Sequence, residues 1–194
     1  MKNQVTLHTL FLALALLMAC SRDPKPKEEK KVVDTVKNTD SLATTVFSKA
    51  DENKVIGNIN FGIDKKQFAQ EENAFMATLE HNEHQTTYAI GGYLFSDLTG
   101  MFSSNKLNEL NMTGDLIPPE RYEAELLPQV EILKDLIAKK YGEAQEGSGA
   151  PAYKDLKKDQ PYTAYSWMIG SKVINVDVVN RGEFSSCDLK ITKK

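Results

Sequence analysis

Residues 162–192 read YTAYSWMIGSKVINVDVVNRGEFSSCDLKIT. The fold depends on how that stretch is cut. Tyr162–Ile169, Lys172–Val179 and Phe184–Thr192 are rich in β-branched and aromatic residues, and the pairs Gly170-Ser171 and Arg181-Gly182 separate them. Two-residue connections join antiparallel strands, whereas parallel neighbours need a crossover of a dozen or more residues. The stretch is therefore predicted to be an antiparallel meander. Ile174, Val176 and Val178 alternate with Asn175 and Asp177, the pattern of a sheet with one covered face and one wet face. The same alternation sets Cys187 beside Leu189 and Ile191, opposite Asp188 and Lys190, which reads as a buried, inert thiol.

Upstream, Leu126, Val130, Leu133, Ile137 and Tyr141 recur every three or four residues, with Lys139 and Lys140 in the last turn and Gly142 placed to end a helix. Pro128 fits its first turn, where a missing N–H costs least. Between this helix and the meander, Gly147–Pro151 is a soft linker. Thr86–Gly114 is read as three strands broken at 96–100 and 103–105. Val55–Ile63 is read as one strand. Asp64 with Gln67 three residues on forms a capping box for a helix carrying Phe68, Phe75, Met76 and Leu79 on its inner stripe. The expected order is β-α-βββ-α-βββ over residues 55–194, an α+β two-layer domain with an antiparallel sheet and two helices on one face.

The N-terminus is a different kind of sequence. Lys2 is followed by an apolar run, Thr9–Ala19, that Ser21, Arg22 and Asp23 stop. The run falls short of the roughly 20 apolar residues needed to span a bilayer, and it has the layout of a secretory signal. Leu17-Met18-Ala19-Cys20 resembles the lipobox of bacterial lipoprotein precursors, with Met18 where Ala, Ser, Thr or Val is more usual. The resemblance implies that residues 1–19 are a signal peptide removed before Cys20, and that Cys20 carries a diacylglycerol on sulfur and an acyl chain on its new amine. It implies a protein held at the bacterial cell envelope by lipid, and Ser21 after the cysteine is compatible with sorting to the outer membrane. Each buried methylene contributes about 0.8 kcal/mol, so two or three long chains give lasting attachment to the membrane. Residues 20–54, rich in Lys, Glu, Asp, Thr and Ser, have too little apolar area to offset ordering entropy and are expected to be a mostly flexible tether. The competing reading is a short helix, at 32–36 or 41–50, docked on the domain. With Cys20 acylated, Cys187 has no disulfide partner.

Function is less legible. A formal charge of −3 lacks the basic excess that phosphate neutralisation needs, so nucleic acid is not expected as a partner. Glu80-His81-Asn82-Glu83-His84 gathers imidazoles and carboxylates but lacks the His-Glu-x-x-His spacing of zinc proteases, and reads as a solvated helix end. No Gly-x-Ser-x-Gly elbow or phosphate loop is present, so no catalytic set and no cofactor is expected. Tyr88–Phe95 and Tyr162–Ile169 carry apolar residues on both parities, which raises Tyr93, Phe95, Tyr165 and Trp167 as an outer patch for an envelope protein partner. The alternative is that the tether or loops cover them. Two functions compete: a non-catalytic binding or structural module, and an envelope hydrolase with a site no linear motif reveals.

Overall fold

The computed structural model describes residues 52–81 and 86–194. Cys20, its leader and the chain up to residue 51 lie outside the described residues, as do Asn82, Glu83 and His84. The expected strand at 55–63 is instead a hairpin, β1 (Lys54–Ile56) and β2 (Ile59–Asn60), folded about Gly57-Asn58. Helix α1 (Lys65–Met76) starts as expected: Asp64 Oδ1 accepts from the N–H groups of Lys66 and Gln67 at 2.9 Å, and Gln67 Oε1 accepts from Asp64 N–H at 3.3 Å. Phe68 and Phe75, two turns apart, are its buried residues.

Four strands follow: β3 (Glu80–His81), β4 (Tyr88–Ile90), β5 (Tyr93–Ser103) and β6 (Lys106–Gly114). The breaks are at Gly91-Gly92 and Ser104-Asn105, all four residues with positive φ, the geometry that suits tight hairpins. Ser96–Gly100 is therefore not a turn. It lies inside β5, where one extra residue between the pairs Phe95↔Gly114 and Asp97↔Thr113 makes a bulge.

A short helical turn (Pro119–Arg121) and a wider one (Tyr122–Leu126) lead into α2 (Leu127–Tyr141), with Pro128 in its first turn as expected. The meander forms as β7 (Tyr162–Ile169), β8 (Lys172–Asn180) and β9 (Ser185–Lys193). All seven strands from β3 onward join one antiparallel sheet in the order β3-β4-β5-β6-β9-β8-β7, so the two meanders meet at their last strands.

Both helices cover the same face of this sheet. Its inner residues are Tyr93, Phe95 and Leu98 from β5, Leu107, Leu110 and Met112 from β6, Ile174, Val176 and Val178 from β8, Cys187, Leu189 and Ile191 from β9, and Trp167 from β7. Phe68 and Phe75 pack on them from α1, and Val130, Leu133, Leu136 and Ile137 from α2. The architecture is the α+β two-layer domain that the sequence predicts, with additional short strands.

Candidate functional site

The aromatic patch expected on the outside is mostly interior. Phe95 and Trp167 have 0% of their surface exposed and Tyr93 1%. Tyr93 donates its hydroxyl to Cys187 O at 2.7 Å, and Trp167 Nε1 donates to Gly142 O at 2.8 Å, so each buried polar handle is satisfied. Tyr165 is half-buried against α2, where its hydroxyl donates to Glu131 Oε1 at 2.8 Å and Lys134 Nζ sits 5.5 Å from the ring centre. The correction has a simple cause. A two-residue turn places residues i and i+3 opposite each other on one face, so Ile90 faces Tyr93 and Tyr88 faces Phe95, and side-chain parity inverts across Gly91-Gly92. In β7 the bulge at Ala164 leaves Tyr165 and Trp167 opposite the inner residues Val176 and Ile174.

What the sheet presents outward is polar. Across β7 and β8, Thr163 Oγ1 donates to Asp177 Oδ1 at 2.6 Å and Ser166 Oγ donates to Asn175 Oδ1 at 2.8 Å. Across β8 and β9, Asp177 stands directly opposite Asp188. Arg181 Nη2 meets Asp188 Oδ2 at 2.6 Å, and Gly114 N–H donates to Asp188 Oδ1 at 3.2 Å. Further along, Lys190 Nζ lies 3.1 Å from Glu109 Oε2, which also accepts from Thr192 Oγ1 at 3.3 Å. Burial raises the carboxyls of Asp177 and Asp188; the charge of Glu109 adds to the rise of Asp177 and that of Asp177 to the rise of Asp188, while Thr163 and Lys190 pull Asp177 the opposite way and Ser186 and Arg181 do so for Asp188. Burial also pushes Glu109 up, but hydrogen bonds from Asn111 and Lys190 outweigh it and leave that carboxyl low.

A hollow of about 320 Å³ opens on this outer face at the β7–β8 end. Thr163, Ser166 and Met168 from β7 and Val173 and Asn175 from β8 form its floor, Gln145 and Glu146 form a wall, and Lys194 stands at the rim. The wall is fixed by the edge of β7: Gln145 N–H donates to Ser166 O and Ser166 N–H to Glu146 O, both at 2.9 Å. Gly147 follows at φ 113, where a Cβ would come within 2.1 Å of Ala164 O, so only glycine lets the segment lie this close. The lining mixes hydroxyl, amide, carboxylate and ammonium groups around two apolar side chains, which suits a polar ligand or a polar protein surface. Ser166 donates to an amide oxygen, a partner that takes no proton from it.

The other sequence candidates fall elsewhere. Cys187 is buried, and burial pushes its thiol well up, as an inert core cysteine requires. Glu80 and His81 form β3 rather than a helix end, and the described residues contain no cluster of three His, Cys, Asp or Glu that could hold a metal. Cys20 lies outside the described residues. The outer polar set was only half visible in sequence: the alternation of Asn175 and Asp177 marks a wet face, but nothing local says that Asp188, Ser166 and the wall at 145–146 meet it.

No protein-family model matches the chain, and no curated protein matches it. Among solved structures, the crystal structure of a DUF4309 family protein (YjgB) from Bacillus subtilis subsp. subtilis str. 168 is similar at a TM-score of 0.33 and 13% identity, over 82% of this chain and 95% of that one. A likeness that remote carries no argument about this chain.

Proposed function

We propose that this protein is a lipid-anchored, non-catalytic binding module of the bacterial cell envelope, attached through acyl chains on Cys20 and directed to the outer membrane. Its binding surface is the outer face of the seven-stranded sheet, centred on the hollow between β7 and β8. The observation that carries the reading is that, among the described residues, the helices cover only the inner face. The attachment rests on the lipobox resemblance of Leu17-Met18-Ala19-Cys20. The first described residues suit an anchored body, since they are clamped to the sheet: Ser171 N–H donates to Glu52 Oε2 at 3.1 Å, Lys193 Nζ to Asn53 Oδ1 at 2.7 Å, and Lys172 Nζ to Lys54 O at 3.0 Å.

The test is co-purification from envelope membranes with the full chain and with Ser166→Arg and Asn175→Arg, each first checked for a native circular dichroism spectrum. These side chains point into the hollow, so a bulky cation fills it without disturbing the core. Loss of a partner that the wild type retains is the expected result. Identical partners with all three proteins would dismiss this face.

A further inference from the structure

The two edges of the sheet are treated differently. At β7 the outer edge is sealed: Gly149 N–H bonds Ala164 O, Gln145 N–H bonds Ser166 O, and the Gln145 side-chain amide takes both polar groups of Met168, accepting from its N–H at 2.6 Å and donating to its O at 3.2 Å. At the other end β5 runs eleven residues, yet β4 covers only Tyr93–Phe95. From Ser96 to Ser103 the strand bonds to β6 on one side, and among the described residues no backbone group bonds its other side. That is about 27 Å of edge, at roughly 3.4 Å per residue, with no strand partner among the described residues. The stretch Ser96-Asp97-Leu98-Thr99-Gly100-Met101-Phe102-Ser103 holds no lysine, arginine or proline, the residues that usually blunt such an edge, and its register with β6 is unbroken from Asp97 to Met101.

Helix α1 gives this edge a charge direction. Phe68 packs edge-on to Phe102 at 5.6 Å, and Lys65 Nζ sits 5.7 Å from the Phe102 ring centre, so the Phe102 end is basic. Two turns on, half-buried Glu72 lies within range of the Asp97 charge, which together with burial raises the Glu72 carboxyl, so the Asp97 end is acidic. An antiparallel copy of the same strand, related by a two-fold axis near Thr99-Gly100, presents its ends in reverse order. Basic then meets acidic twice, as an isologous interface requires.

We propose that two copies of this chain associate through antiparallel pairing of Ser96–Ser103, which extends the sheet across the two-fold axis and sets Lys65 of each copy against Glu72 and Asp97 of the other. Main-chain hydrogen bonds supply the attraction, as in strand addition generally, and the charge order fixes direction and register. Self-association at β5 leaves the hollow at β7–β8 open, so it is independent of the binding face proposed above.

The test uses the full mature chain in detergent micelles, with mass determined by sedimentation equilibrium and native mass spectrometry. The wild type is expected to be a concentration-dependent dimer. Lys65→Glu alone and Glu72→Lys alone each create two like-charge contacts and weaken it by about tenfold or more. An equimolar mixture of the two single variants forms a heterodimer, and the double variant Lys65→Glu/Glu72→Lys dimerises again. Lys65 is exposed and Glu72 half-buried on α1, and native circular dichroism separates loss of association from loss of fold. A monomeric wild type, single variants that associate like the wild type, or a mixture that stays monomeric would each overturn the proposal.

Discussion

Asp177 and Asp188 are the residues where the outer face departs most from an ordinary wet surface. Two carboxyls stand opposite each other on adjacent strands and are largely withdrawn from water, so each is raised above the ordinary 3.8. The folded state therefore holds protons more tightly than the unfolded chain. Their contribution to stability is fully present below the ordinary carboxyl value and is lost as pH rises from there through the raised folded value. Asp177→Asn removes one of the two charges while keeping an acceptor for Thr163. The difference in unfolding free energy between Asp177→Asn and the wild type, measured by urea titration at several pH values, is predicted to grow in favour of the variant from about pH 4 upward. A difference that stays flat with pH would contradict the assignment. From sequence, Asp177 was legible as a wet-face residue, but its partner was not, because register between distant strands leaves no local mark. Trp167 shows a different failure: expected on an outer patch, it is fully buried, because Ala164 inserts a bulge that a period of two does not reveal.

At the scale of elements, local chemistry proved most informative where the chain closes on itself within a few residues. The Asp64–Gln67 capping box, Pro128 in the first turn of α2 and the positive-φ residue Gly142 after it were all readable, since caps depend on neighbours three or four positions away. The strands of the first meander were harder. Gly91-Gly92 reads as part of a strand and Ser96–Gly100 as a turn, although glycine pairs with positive φ make the tighter reversal. The seal on β7 was invisible for another reason: Gln145 substitutes a side-chain amide for a missing strand, and no sequence pattern encodes that. Its role is testable. Gln145→Ala removes both bonds to Met168, which is already 48% exposed. The amide of Met168 is predicted to exchange with solvent at least about tenfold faster in the variant, while amides in β9 keep wild-type protection. Unchanged exchange at Met168 would show that the edge is held by backbone contacts alone.

Among the described residues, one face of the sheet is covered and the other is open. Tyr93, Phe95, Trp167 and Cys187 belong to the covered side, and the hydrogen-bonded polar rows with their hollow belong to the open side. The division of labour follows from the two amphipathic helices, which have apolar stripes enough for one layer only. The two-layer plan is legible in the periodicity of the sequence; the expectation of a membrane anchor comes from a four-residue resemblance that has no bearing on the fold. The proposed role joins the two: a body displayed from a lipid, with its open face free to meet a partner. Everything in that role beyond the fold depends on the chemistry at one sulfur. The most direct measurement is intact and peptide mass spectrometry of the mature protein from envelope membranes. The account predicts a chain that begins at Cys20 and carries a diacylglycerol and an amide-linked acyl group; a bare Cys20, or a chain still carrying residues 1–19, would contradict it.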